Sequence, residues 1–269
     1  MHDLLVSGMF HLTKSKLLPL LPGLIILLLI FNFNGAYPHA TLEDYFFQFT
    51  NINVIALAVF CPLFLSSEYS DGVLRNKLII GHTHVPIYLS SLLINILFGG
   101  LIVLTGILTG LCAGPVFLGW FHLAKLKDVL FYCILTFANA SACTALYTFI
   151  SMLVVNRSFA AASCILLALG MIFMGQYLDL SLSQESVLRA VFYTSTGEAC
   201  VSEQPNPAYL TGFARQVYQF FYDVTPGGQS YQIMYMKAQH PLKILGYSVL
   251  VSLLVTGIGL AWFRRKDVK

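Results

Sequence analysis

Six uninterrupted apolar stretches, each long enough to cross a bilayer, constrain this chain more than any other feature. Crossing about 30 Å of hydrocarbon takes roughly 20 residues of helix, and such stretches lie near residues 17–35, 46–66, 84–113, 127–155, 159–179 and 242–263. In lipid every backbone N–H and C=O must be satisfied within the protein, which leaves helices or a closed barrel. A barrel would read as short alternating strands, not as continuous apolar runs. The pattern therefore predicts an all-α integral membrane protein, a single domain over 1–269 with six transmembrane helices. Only 10% of the 269 residues are charged, against roughly 25% in a soluble domain, so a soluble enzyme and a disordered chain are both excluded. A net charge of +3 scattered over separate loops builds no continuous basic face, so nucleic acid is not an expected partner and the lipid bilayer is.

Charge placement sets the expected orientation. With the N-terminus in the cytoplasm, Lys14, Lys16, Arg75, Lys77, Arg157, Arg264, Arg265, Lys266 and Lys269 fall inside, and Lys125, Lys127, Arg189, Arg215, Lys237 and Lys243 outside. Acidic residues divide the other way: Asp3, Glu68, Asp71 and Asp267 lie inside, and the rest outside. The Arg264-Arg265-Lys266 cluster directly after the last span is the strongest instance of the positive-inside pattern, and both termini are then cytoplasmic. Residues Met1–Lys16 alternate apolar and polar groups in the manner of an amphipathic helix lying in the interface. Lys14 and Lys16 before the first span resemble the start of a secretion signal, but no small-x-small cleavage site follows. The connection between the second and third spans and the segment from Asp179 to Pro241 are the two long loops, where function is expected to concentrate.

Glu68, Asp71, Arg75 and Lys77 crowd into ten residues of a charge-poor chain between the second and third spans. Val73, Leu74 and Leu78 recur at helical spacing opposite Arg75, Asn76 and Lys77, which predicts a short amphipathic helix. Gly81 suits its end, Thr83 can cap the next helix, and Pro86 falls in that helix's first turn. Such a knuckle could dock into a groove on a soluble partner, or it could be a solvated loop obeying the charge rule.

This segment, Glu68-Tyr-Ser-Asp71-Gly72-Val-Leu-Arg75-Asn76-Lys77 with Gly81 and Pro-Ile-Tyr88-Leu-Ser, resembles the first cytoplasmic loop of ABC-2 type permeases. The ending Phe263-Arg264-Arg265-Lys266-Asp267-Val-Lys269 is similar to that family's closing segment. The shared pattern covers the whole chain, while the specific motif spans about fifteen residues; His82-Thr83-His84 stands where many such permeases carry a serine and an arginine. The resemblance implies a membrane subunit of a bacterial ABC exporter for a hydrophobic or amphipathic cargo. It implies that Glu68, Asp71, Gly72, Arg75, Asn76 and Lys77 form a coupling helix seated in a separate ATPase. It further implies two ATPase copies and a second permease copy, a homodimer in the bacterial cytoplasmic membrane. This chain has no G-x-x-x-x-G-K-[ST] phosphate cradle, so ATP and magnesium would belong to the partner and no residue here would be catalytic.

Polar residues within apolar spans face protein or water rather than lipid. Asn32 and Asn34 in the first span and Gln48, Asn51 and Asn53 in the second are candidates for a substrate path. Asn139, Ser141, Thr144 and Thr148 in the fourth fit the same description. The alternative is hydrogen-bonded glue between helices. Gly106, Gly110 and Gly114 form two successive G-x-x-x-G units, expected to let a neighbour pack closely. Cys61, Cys112, Cys133, Cys143 and Cys164 sit in apolar runs with no C-x-x-C pair, and His82 and His84 lack a third ligand, so neither a disulfide framework nor a metal site is expected. No H-E-x-x-H and no Ser-Lys set speaks for a membrane enzyme. A non-transporting scaffold or resistance protein and a secondary transporter remain as competing readings. Between Asp179 and Pro241, many aromatics predict short helices at the interface, broken at Pro205, Pro207 and Pro226-Gly227-Gly228.

Overall fold

A computed structural model describes residues 2–37, 39–70, 73–81, 83–154, 156–193 and 199–265. Six helical stretches are long and apolar enough to cross a membrane: Leu17–Asn34, Leu42–Ser66, His84–Leu118, Leu126–Leu153, Arg157–Leu182 and Pro241–Phe263. The chain is thus a helical multi-pass membrane protein, and its spans fall within a few residues of the apolar runs in the sequence. In chain order the elements are α1 (His2–Lys14), α2 (Leu17–Asn34), α3 (Leu42–Tyr45), α4 (Phe49–Ser70), α5 (Val73–Ile79), α6 (His84–Leu118), α7 (Leu126–Leu153) and α8 (Arg157–Leu182). They continue with β1 (Val187–Tyr193), β2 (Ala199–Pro205), α9 (Gly212–Val224), α10 (Pro226–Met234) and α11 (Pro241–Phe263).

Helices α4 and α7 form the centre. The α7 helix packs against α4, α6, α8, α10 and α11, whereas α2 leans mainly on α6. The burial difference follows: the most apolar parts of the span Leu42–Ser66 and of α7 are 72% and 56% buried, against 22% for α2 and 17% for α11. The broad apolar faces left on α2, α8 and α11, with Leu27, Phe173 and Leu253 among the exposed side chains, are suited to lipid. In the centre, Phe60 stacks on Phe98 with ring centres 3.5 Å apart.

The glycine row of α6 packs closely, but against side chains rather than another helix backbone. A Cβ at Gly110 would lie 2.8 Å from the Phe46 ring, and Gly106 and Gly114 are covered by Phe49 and Leu42. These three residues come from α3, the turn after it and the start of α4, so the row seats the end of the second span. At the other end of the bundle α1 packs on α6, burying Leu4 and Leu12 while Val6 and Phe10 stay exposed. That one-sided burial is the pattern expected of an amphipathic helix.

The segment between α8 and α11 departs from the sequence-based expectation of helices alone. An antiparallel hairpin joins β1 and β2, with Arg189 opposite Glu203 and their side chains paired at 3.2 Å. Both are largely exposed, so the pair contributes under about 1 kcal/mol. Pro226-Gly227-Gly228, expected as a break, instead opens α10. Proline takes the first helical position, where its missing N–H costs nothing, and the Thr225 hydroxyl accepts from the Gly228 N–H at 3.3 Å.

Candidate functional site

Helix α5 forms the knuckle between the second and third spans and touches both α4 and α6. It closes as the sequence predicts: the Gly81 N–H bonds the Leu78 carbonyl at 3.0 Å, and Gly81 adopts φ 98°, a left-handed conformation that favours glycine. Thr83 takes the extended N-cap conformation of α6, although its hydroxyl makes no capping bond. Asn76 is exposed, but Lys77, read from the sequence as part of the polar outer face, is only 6% exposed. Outward instead stand Ile79 and Ile80, 71% and 77% exposed. Glu68 lies on α4 and Arg75 on α5. Asp71 and Gly72 lie outside the described residues.

The candidate path residues divide. Asn32 is half-buried and Asn34 exposed; Asn34 joins Tyr37 and Phe117 at a small cavity of about 370 Å³. Gln48 donates to the Asp44 carbonyl at 3.2 Å. Asn53 is buried, and its carbonyl oxygen has no partner. Asn51 is drawn into a polar junction around α10: its amide lies 3.3 Å from the Met234 sulfur, and its oxygen accepts from Ser230 at 2.6 Å.

That junction is the most elaborate polar structure in the bundle. Gln229 is fully buried; its amide donates to the Asp223 carbonyl at 2.8 Å, and its oxygen accepts from Ser248 of α11 at 2.7 Å. Asn139 of α7 donates to the Pro226 carbonyl at 2.8 Å and reaches Gln229 at 3.3 Å. Gln232 donates to the Tyr222 carbonyl at 3.0 Å. Glycine makes this possible: a Cβ on Gly227 would collide with the Met171 carbonyl of α8, and one on Gly175 would lie 2.6 Å from the Gly227 carbonyl oxygen. One short helix thereby ties α4, α7, α8 and α11 together. Elsewhere Asn95 donates to Thr148 at 2.9 Å, while Ser141 and Thr144 bond back to their own helix. Asn51, Asn139 and Thr148 thus act as glue between helices. Gln229, Ser230, Gln232, Ser248 and Asn95 were not singled out from the sequence; for the first three, the run of four amide or hydroxyl side chains over 229–232 was the available signal.

Tyr222 anchors α9 on α8. Its hydroxyl donates to Asp179 at 2.6 Å, and burial together with the neighbouring Asp179 pushes the phenol far above its usual range near 10. A folded-state pKa raised above the unfolded one means that the stabilisation is complete below about pH 10 and declines as pH rises beyond it. Tyr222→Phe is expected to cost about 1–2 kcal/mol at neutral pH and to flatten that alkaline decline. Thermal melts between pH 7 and 11 check both; an unchanged melting temperature at pH 7 would contradict the anchor.

Where the chain leaves α10, Met236 takes φ 51°. The Lys237 N–H bonds the Gln232 carbonyl and the Met236 N–H the Ile233 carbonyl, both at 3.0 Å, the double closure of a Schellman cap with methionine where glycine is usual. The Tyr132 hydroxyl accepts from the Ala238 N–H at 2.9 Å. At the same end of the bundle, Glu43 of α3 accepts three backbone N–H groups on one oxygen, from His122 at 2.6 Å, Leu123 at 2.7 Å and Ala124 at 3.2 Å. This carboxylate pins the connection between α6 and α7. No protein-family model matches the chain, and no curated protein matches it.

Proposed function

We propose that this chain is the membrane subunit of an ATP-driven exporter of the ABC-2 permease kind. It would move a hydrophobic or amphipathic cargo across the bacterial cytoplasmic membrane, with both termini in the cytoplasm. Two copies would form the path, and two copies of a separate ATPase would bind ATP and magnesium and drive it. The observation that carries this reading is α5, a short helix held against both α4 and α6 with Asn76, Ile79 and Ile80 facing outward. A knob clamped between two spans passes a push from a soluble partner to both of them as a rigid-body shift. The exposed isoleucines supply the apolar centre that such an interface requires, and Asn76 a polar group beside it.

The test is to purify the tagged full chain from its host in mild detergent and assay the ATP hydrolysis that accompanies it. A co-purifying ATPase is expected, and Arg75→Glu or Ile79→Asp should lower its retention by about tenfold or more while the chain elutes as a folded particle. Glu68→Ala should lower hydrolysis without unfolding. A chain that purifies alone, without hydrolysis in several gentle detergents, would favour a non-transporting scaffold or a secondary transporter.

A further inference from the structure

A cavity of about 640 Å³ opens at the α3 end of the bundle, between α3, the start of α7 and the chain entering α11. Its size is that of a small-molecule site. Three carboxylates, Glu43, Asp44 and Asp128, stand in its wall, and among the described residues no Lys, Arg or His does. Glu43 is 9% exposed. One of its oxygens takes three N–H groups, while the other is buried without any hydrogen-bond partner. A buried carboxylate oxygen without a protein donor is costly unless a donor reaches it. Asp44 has one oxygen engaged by Thr41, whose hydroxyl donates at 2.8 Å; Asp128 is exposed on the first turn of α7.

The rest of the wall is aromatic, with Phe131, Tyr132 and Tyr235. Ring faces attract organic cations, and one of these rings already does so within the chain: the Lys237 ammonium lies 4.9 Å from the centre of the Tyr235 ring. Among the described residues no three His, Cys, Asp or Glu side chains come close enough to hold a metal ion. Separated carboxylates with rings between them suit a larger, N–H-bearing cation.

From this geometry we propose that the cavity binds a primary ammonium group. Glu43 and Asp128 supply the opposing charge, the unpartnered oxygen of Glu43 accepts an N–H, and Phe131 and Tyr132 flank the cation. A free amine and an aminophospholipid headgroup both present this chemistry to the site.

The experiment is equilibrium binding of radiolabelled 1,5-diaminopentane to the purified full chain in phosphatidylcholine nanodiscs. Saturable binding is expected, weakened about tenfold or more by Asp128→Asn and by Glu43→Gln, and about tenfold weaker for the bis-trimethylammonium analogue, which has no N–H. Glu43→Gln keeps an acceptor for the 122–124 backbone, and Asp128→Asn leaves those bonds untouched, so at least one folded variant is available. A probe affinity lowered in phosphatidylethanolamine nanodiscs supports the site with the headgroup as its source; an equal affinity supports it with a free amine. Absence of saturable binding, or folded variants and an analogue that bind as tightly as the native pair, would overturn the proposal. No readout depends on an ATPase, so this outcome is separate from that of the exporter reading.

Discussion

Gly227→Val is expected to abolish most of the recoverable folded protein. The α10 helix enters the bundle against backbone, not against side chains: a Cβ at Gly227 meets the Met171 carbonyl of α8, and the reciprocal position, Gly175, faces the Gly227 carbonyl. A clash with a rotatable side chain can relax, but a helix carbonyl moves only if the helix moves. Overpacking typically costs 1–3 kcal/mol. Here the whole of α10 must shift, and with it the bonds to Asn51, Asn139 and Ser248, so about 3 kcal/mol or more is expected. In a detergent-solubilised thermal melt that corresponds to a drop of roughly 10 °C. Gly246→Ala and Gly257→Ala provide the contrast, since nothing lies within 4 Å of a Cβ at either position, and both should melt within a few degrees of the native chain. A Gly227→Val variant that melts with the native protein would mean that α10 does not sit against α8.

Gln229→Glu should produce the second large effect, and one that depends on pH. The Gln229 amide donates to the Asp223 carbonyl, and the site is closed to water. A carboxylate there would face a carbonyl instead of donating to it and would carry an unpaired buried charge, at a cost of about 3 kcal/mol or more. A neutral carboxyl group could still donate. The folded-state pKa of this glutamate is therefore raised above its unfolded value of about 4.3. The folded state then holds more protons than the unfolded one above that pH, so stability falls as pH rises, by about 1.4 kcal/mol per unit until the folded pKa is passed. Melts of the variant from pH 4 to 8 should diverge progressively from those of the native chain. Gln229→Leu, which loses the donor but adds no charge, should cost about 1–2 kcal/mol with no such slope. Parallel curves for Gln229→Glu and the native chain would contradict the buried placement of Gln229.

Both predictions centre on a segment that was hard to read. Residues 226–234 carry a proline, two glycines, two glutamines and a serine, a composition that in isolation indicates a turn. They form a buried helix because Thr225 caps it and because Asn51, Asn139 and Ser248, from three other helices, satisfy its polar groups. Lys77 was misplaced for a related reason. Helical periodicity assigns it a face, but the positions of α4 and α6 decide which face is covered. The carboxylate of Glu43 was likewise just one more external acid until the turn at 122–124 was brought over it.

What the sequence determined by itself was everything that depends on length and local geometry. Six apolar runs of about 20 residues allow only helices across a bilayer, so the spans, the knuckle at α5 and its end at Gly81 were legible. The glycine row of α6 was legible as a place of close contact, though not that Phe46, Phe49 and Leu42 would fill it. The tertiary structure alone decided which polar side chains meet, which glycines face backbone and which carboxylates share a cavity. The hydrogen-bonded pairs between helices lie as far as 183 residues apart along the chain, and neither hydrophobic period nor propensity says which of them will meet.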